Sequence, residues 1–141
     1  MRKLCIDHVR RRKRSVFLLF TVQLDKHLYY VISLSLTAIV VLGGRRRYIL
    51  SHPNQCENLA LLPKEHESAR HSEIDYANPD VERFPEVANA KANEVVLEAG
   101  HVLYLPTHWF HYIVSLDLNF QCNTRSGITH DYHKFIKDCG F

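Results

Sequence analysis

Gly100-His101-Val102-Leu103-Tyr104-Leu105-Pro106-Thr107-His108-Trp109-Phe110-His111-Tyr112-Ile113 is the stretch on which the reading of the fold turns. After the turn Glu98-Ala99-Gly100, His101 to Leu105 reads as a strand. Pro106-Thr107 breaks it, because proline cannot donate to a ladder. Trp109 to Leu116 then reads as a second strand. A side-chain period of two puts Trp109, His111, Ile113 and Ser115 on one face and Phe110, Tyr112, Val114 and Leu116 on the other. His111 is therefore expected to point inward. His108 and His111, three residues apart in a strand, are expected on opposite sides and not on one metal. On residues alone, a single inward histidine is either a core residue or a ligand.

Working outward, Glu94 to Leu97 reads as a strand before this stretch and Phe120 to Asn123 as one after it, with a turn at Asp117–Asn119. Thr129 is a plausible N-cap for a closing helix, whose apolar stripe would be Ile128, Tyr132, Phe135, Ile136 and Cys139. Short antiparallel strands joined by tight turns predict a β-sandwich or half of a barrel. Upstream, Arg45 to Leu50 reads as a strand stopped by Ser51-His52-Pro53-Asn54. Residues 54–80 form a long polar connection, with one helical turn expected around Glu57–Leu62. A connection that long in a compact domain is usually functional. Asn78-Pro79-Asp80 signals a turn, and Val81–Ala90 is expected to be a short helix.

The N-terminal part differs in character. Residues 1–50 carry eleven Lys and Arg against Asp7 and Asp25, a surplus of nine in a chain of net charge +3, so the other 91 residues are net negative by six. The run Arg10-Arg11-Arg12-Lys13-Arg14 has no interleaved aromatic residue, so no stacking platform for nucleic acid and no specific nucleic-acid partner is indicated. Residues 15–24 are apolar and β-rich, and Asp25, Lys26 and His27 interrupt them. From Leu28 to Gly44 there are seventeen residues without a charge. That run is shorter than the ~20 residues of a membrane helix. It is also rich in β-branched residues, so two buried strands are preferred over a membrane anchor at 28–44. Cys5, Cys56, Cys122 and Cys139 fit no metal-clip spacing. They read as reduced thiols of a cytoplasmic or nuclear protein, with a membrane location as the alternative.

A family resemblance adds to this reading. The stretch at 100–113 resembles the G-D-x-L-Y-x-P-x-x-W-[WF]-H-x-[IV] signature of JmjC/cupin-like oxygenases. The stretch from His66 to Pro85, HESARHSEIDYANPDVERFP, resembles their asparaginyl-hydroxylase branch. Gly44-Arg45-Arg46-Arg47-Tyr48-Ile49-Leu50 is similar to their G-[RY]-K-R-x-[IL]-L strand. The resemblance spans residues 40–127 in the family's order. It implies a mainly β, double-stranded β-helix (cupin/jelly-roll) fold, present in part, with short helices and an atypical N-terminal segment. On this basis residues 38–141 are the C-terminal portion of the domain and 1–37 a basic and apolar segment of separate character. The implied activity is Fe(II)- and 2-oxoglutarate-dependent hydroxylation of a protein substrate. Carried over by position, His111 is the distal metal histidine. Arg46 stands where a lysine pairs with the 2-oxoglutarate carboxylate, and Asn123 is the cosubstrate-side asparagine. Arg70 and His71 lie on the substrate-contacting loop.

The departures bear on activity. The family's other two iron ligands are an H-x-[DE] pair thirteen residues before the glycine, and those positions are Val31 and Ser33. A non-haem Fe(II) site needs two histidines and a carboxylate on one face. His71-Ser72-Glu73 has the motif's form but falls on the wrong side of Gly44, and Asp25-Lys26-His27 has it reversed. His101 also replaces the aspartate of the G-D turn. Either a divergent or truncated relative or a non-catalytic interaction module fits these facts better than a complete catalyst. The substrate and the oligomeric state are left open.

Overall fold

The computed structural model describes residues 17–23, 31–33 and 35–140, with the backbone alone described for 17–23 and 31–32. Its strands are β1 (Phe17–Gln23), β2 (Val31–Ile32), β3 (Leu36–Gly43), β4 (Arg46–Ser51), β5 (Asn93–Leu97), β6 (Val102–Leu105), β7 (Phe110–Ser115) and β8 (Asn119–Ser126). They form two four-stranded sheets, β1-β8-β3-β6 and β2-β7-β4-β5. All the ladders are antiparallel. This is the jelly-roll that the motifs imply. Within the uncharged run from Leu28, residues 31–32 and 36–43 are strand, and among the described residues no helix is long and apolar enough to cross a membrane. The basic run at 10–14 and Asp25-Lys26-His27 lie outside the described residues.

Alternation builds the interior. From β3 come Ile39 and Val41, from β4 Tyr48, and from β5 Leu97, all buried and backed by Leu50, Val95, Leu103 and Ile113. The other face of β7 is covered as well. Phe110 and Tyr112 pack with Cys56, Leu59 and Ile136 beneath the connection after β4 and the closing helix α1 (His133–Lys137). A strand buried on both faces has no need of a polar face, which is why residues 109–114 are nearly continuously apolar.

The turn between β3 and β4 needs Gly44, whose φ is +68°. A Cβ there would run into the Leu118 carbonyl oxygen and come within 2.7 Å of Asn119 Cβ. The Arg45 N–H donates to Asp117 Oδ1 at 2.5 Å and its Nε to Oδ2 at 2.8 Å, which ties this turn to the one before β8. The Arg45 guanidinium holds the Asp117 carboxyl below the usual carboxylate range. Both groups are exposed, so the pair adds little stability.

Several expectations are corrected. Cys56 and Cys139 are joined in a disulfide, so they are not reduced thiols, and the reduced-thiol argument for a cytoplasmic or nuclear location loses that support. Cys122 is a free thiol. The helical turn falls earlier than 57–62, as a 3-10 turn at Pro53–Asn58, because Pro53 suits a first helical position and His52 Nδ1 caps the Asn54 N–H. The helix expected over 81–90 shortens to a 3-10 turn at Pro85–Asn89. Thr129 caps nothing: its N–H donates to Thr107 Oγ1 at 3.2 Å, and α1 begins after Tyr132. Trp109 does not share a face with His111. His108 takes a φ of +72° just before β7, and the Trp109 ring packs edge-on against His52 and Tyr132 at 5.3 and 6.1 Å.

Candidate functional site

A cavity of about 220 Å³ opens between the two sheets. From β7 it receives His111 and Ile113, and from the start of β3 and just before it Ser35, Thr37 and Ile39. Ser33 closes one side, fixed by a backbone exchange with the β7 approach. Its N–H donates to the Trp109 carbonyl at 3.0 Å, and its carbonyl accepts from His108 N–H at 2.6 Å. The Ser33 hydroxyl donates to the Ser35 carbonyl at 2.9 Å, and Thr37 Oγ1 to the same oxygen at 3.2 Å.

The opposite wall comes from β8. Its inward positions are Asn119, Gln121, Asn123 and Arg125, a polar side chain at every second residue. The last three line the cavity. Gln121 Nε2 donates to Asn123 Oδ1 at 2.8 Å, and Tyr48 Oη donates to Gln121 Oε1 at 2.5 Å. Arg46 Nε donates to Asn119 Oδ1. A row of buried polar groups thus runs through the barrel from Arg46 toward the cavity. Burial raises the Tyr48 phenol above its ordinary value, against the opposing pull of the adjacent Arg46 cation and its hydrogen bonds. Sequence reading missed Gln121, Arg125, Tyr48 and Thr37. The signal was present in N-F-Q-C-N-T-R, where polar residues recur with the strand period inside a β-barrel.

The residues singled out from the sequence separate in space. His111 lines the cavity, as do Asn123 and Arg70, the latter held at a φ of +78°. His71 turns away: its Nδ1 meets the Ser68 carbonyl at 3.0 Å, and the ring lines a neighbouring depression with His66 and Glu73. Glu73 is paired with Arg83. Arg46 is 1% exposed, engaged with Asn119 and Tyr48, and does not line the cavity. Its partner lies 73 residues away, which no local pattern predicts.

His111 is an unusual imidazole. Its Nδ1 is buried and finds no hydrogen-bond partner among the described residues. Burial lowers its pKa to about 4, the Trp109 backbone opposes this, and the charges of Arg125 and His71 add to it. It is neutral at pH 7 with a lone pair available. An unsatisfied buried nitrogen of that kind suits a metal ligand or a ligand-binding group. The rest of the donor set does not suit iron. Register position 31, directly opposite His111, is Val31, and Ser33 occupies the carboxylate position. Among the described residues no group of three or more His, Cys, Asp or Glu could hold a metal ion. Arg70 and Arg125 line the same space and repel a cation. The residues present therefore do not fit Fe(II).

Comparisons with known proteins agree with the fold. Residues 35–128 match the family described as a cupin-like domain. HSPB1-associated protein 1 of Rattus norvegicus is 42% identical over 76 residues, covering 52% of this chain and 16% of that protein. tRNA wybutosine-synthesizing protein 5 of Gallus gallus is 36% identical over 86 residues, covering 60% of this chain and 25% of that protein. JmjC domain-containing protein C of Dictyostelium discoideum is 34% identical over 88 residues, covering 62% and 21%. The matched segment thus amounts to a quarter or less of the length of each of these relatives.

Proposed function

The chain belongs to the JmjC/cupin-like domain family, and from that premise we propose that it is a cupin-like binding module. On this reading it is related to Fe(II)- and 2-oxoglutarate-dependent protein hydroxylases but lacks the pair of side chains that completes their iron site. Its partner is a protein, the substrate class of the hydroxylases it resembles. The observation that carries the reading is the surroundings of His111. The cavity and its inward imidazole are retained, while the two neighbouring ligand positions hold Val31 and Ser33. A hydroxyl already given to the Ser35 carbonyl and an aliphatic residue supply no second or third donor for a non-haem iron centre.

Anaerobic titration of the full chain with Fe(II) and 2-oxoglutarate tests this. The expected result is no visible metal-to-ligand charge-transfer band from the wild-type chain. A wild-type band that disappears in His111→Ala would overturn the proposal and restore the enzyme reading.

A further inference from the structure

We propose that residues 127–140 are a redox-released strap: the Cys56–Cys139 disulfide holds them against the barrel, and a thiol reductant frees them while the barrel stays folded. This goes beyond the binding-module reading, because the strap packs on the far side of β7 from the cavity. His111 and Ile113 face the cavity, whereas Phe110 and Tyr112 pack with Ile136 of α1. The first observation is how unequally the two ends of the crosslink are fixed. Cys56 is buried beside Leu59, in the 3-10 turn at Pro53–Asn58. Gln55 Oε1 of that turn accepts the Lys91 N–H at 2.9 Å, and the Leu59 carbonyl just after it accepts Tyr76 Oη at 3.4 Å. Cys139 lies just past the end of α1 and is partly exposed. One sulfur therefore belongs to the body of the domain and the other to the end of a short appendage.

The second observation is what else holds the strap. The barrel grips its backbone near the start, where the Leu36 N–H donates to the Gly127 carbonyl and the Thr129 N–H to Thr107 Oγ1, both at 3.2 Å. Further on, backbone bonds run within the strap. The N–H groups of His133, Phe135, Cys139 and Gly140 donate to the carbonyls of His130, Tyr132, Ile136 and Lys137, each at 3.1 Å. α1 has five residues, far short of the ~12 that a helix needs to persist alone in water. Side chains supply the docking: Ile136 is buried, and the Tyr132 and Phe135 rings meet His52 edge-on at 5.2 and 5.1 Å. One buried isoleucine and two half-buried rings return less free energy than ordering the strap's backbone costs. The covalent bond makes up the difference by confining the end of the strap to the turn that receives it. Release by a dithiol is a two-electron exchange. Its thiolate attacks Cys139 Sγ, the less buried end, and forms a mixed disulfide as the bond to Cys56 breaks. Cys56 leaves with the electron pair and takes a proton. The second thiol, deprotonated, attacks the mixed disulfide, and Cys139 leaves and is protonated in turn. The reductant ends as a disulfide and the protein with two thiols.

Hydrogen exchange of the full chain, read by mass spectrometry without denaturant and with or without dithiothreitol, tests the strap. Peptide mapping of the untreated chain is first expected to recover Cys56 and Cys139 in one crosslinked species. Over the first minute, residues 128–140 are expected to exchange about tenfold or more faster after reduction, while β7 and β8 stay protected. Trp109 gives a second readout, since it is the chain's single tryptophan and the strap's Tyr132 packs edge-on against it at 6.1 Å. Its emission is expected to move to longer wavelength on reduction and to return on reoxidation. Cys139→Ser is expected to show the fast exchange without reductant. Cys122→Ser, which alters the free thiol of β8, is expected to keep the full response. No crosslinked species, a strap equally protected before and after reduction, or loss of protection in β7 and β8 along with it would overturn the inference. Those comparisons use the wild-type chain, so a variant that fails to fold does not spare it. Neither iron nor 2-oxoglutarate is added, so the outcome is separate from the charge-transfer band that decides the binding-module reading.

Discussion

Replacing Tyr48 with Phe isolates the energetic logic of the buried polar row. The Tyr48 side chain is fully buried, and its hydroxyl donates to Gln121 Oε1 at 2.5 Å. Tyr48→Phe removes one oxygen and leaves the Gln121 carbonyl oxygen buried without its donor. The Arg46 guanidinium beside the ring loses an acceptor as well. An orphaned buried acceptor costs about 1–3 kcal/mol, so a loss of about 2 kcal/mol is expected. For a chain of 141 residues, unfolding entropy of ~2.1 cal/mol/K per residue makes that a fall in Tm of about 7 °C. Gln121→Leu should cost a similar amount by orphaning the Tyr48 hydroxyl. The double variant removes both partners and leaves an apolar contact in their place. Asn123 then loses its amide donor, but it lines the cavity, where water replaces that bond. The double variant should therefore lose about 2 kcal/mol and not the additive ~4, a coupling of about 2 kcal/mol. Urea denaturation followed by far-UV circular dichroism measures all three. Additive losses would refute the view that the two side chains are held as a pair.

Stability should also fall in acid through His111. Its pKa is lowered to about 4 in the folded state from 6.5, so the unfolded chain binds more protons between those values. The contribution is complete above pH ~6.5 and is lost as pH falls toward ~4, up to about 3 kcal/mol in all. His111→Gln should flatten the variant's stability against pH over that window in urea titrations, so that the wild-type minus variant difference falls as pH falls, and an unchanged slope in the variant would assign the acid sensitivity elsewhere. Cys139→Ala opens a crosslink between residues separated by 83 positions, so a loss of about 4 kcal/mol is expected from loop closure. The same loss should follow from adding dithiothreitol to the wild type, and a variant as stable as the oxidised chain would contradict it. Gly44→Ala should cost about 3 kcal/mol or more, from the left-handed backbone and the collision with the Leu118 carbonyl. Gly44→Asn, which tolerates the φ but still carries a Cβ, should recover little of that in thermal melts.

The strands at 93–97, 102–105 and 110–115 were legible because their alternation and their breakers, Gly100 and Pro106, act between neighbours in the chain. So was the inward direction of His111, which period two settles within six residues. Family motifs supplied the curl of those strands into a jelly-roll, which alternation alone left open between sandwich and barrel. Local signals failed where a single backbone dihedral intervened: φ of +72° at His108 turned Trp109 off the face of His111. They failed again at the chain ends of 3-10 turns, where Pro53 and Pro85 set the start more strongly than the apolar pattern did.

Partnerships across long separations belonged to tertiary structure alone. Arg46 was spent on Asn119, 73 residues away, and Cys56 found Cys139 across 83. Two arginines from a loop and a distant strand came to face one cavity. Alternation decides which way a side chain points, since that depends only on the pleat of its own strand. What it meets there depends on which strand folds opposite, and that is fixed by the packing of the two sheets as wholes.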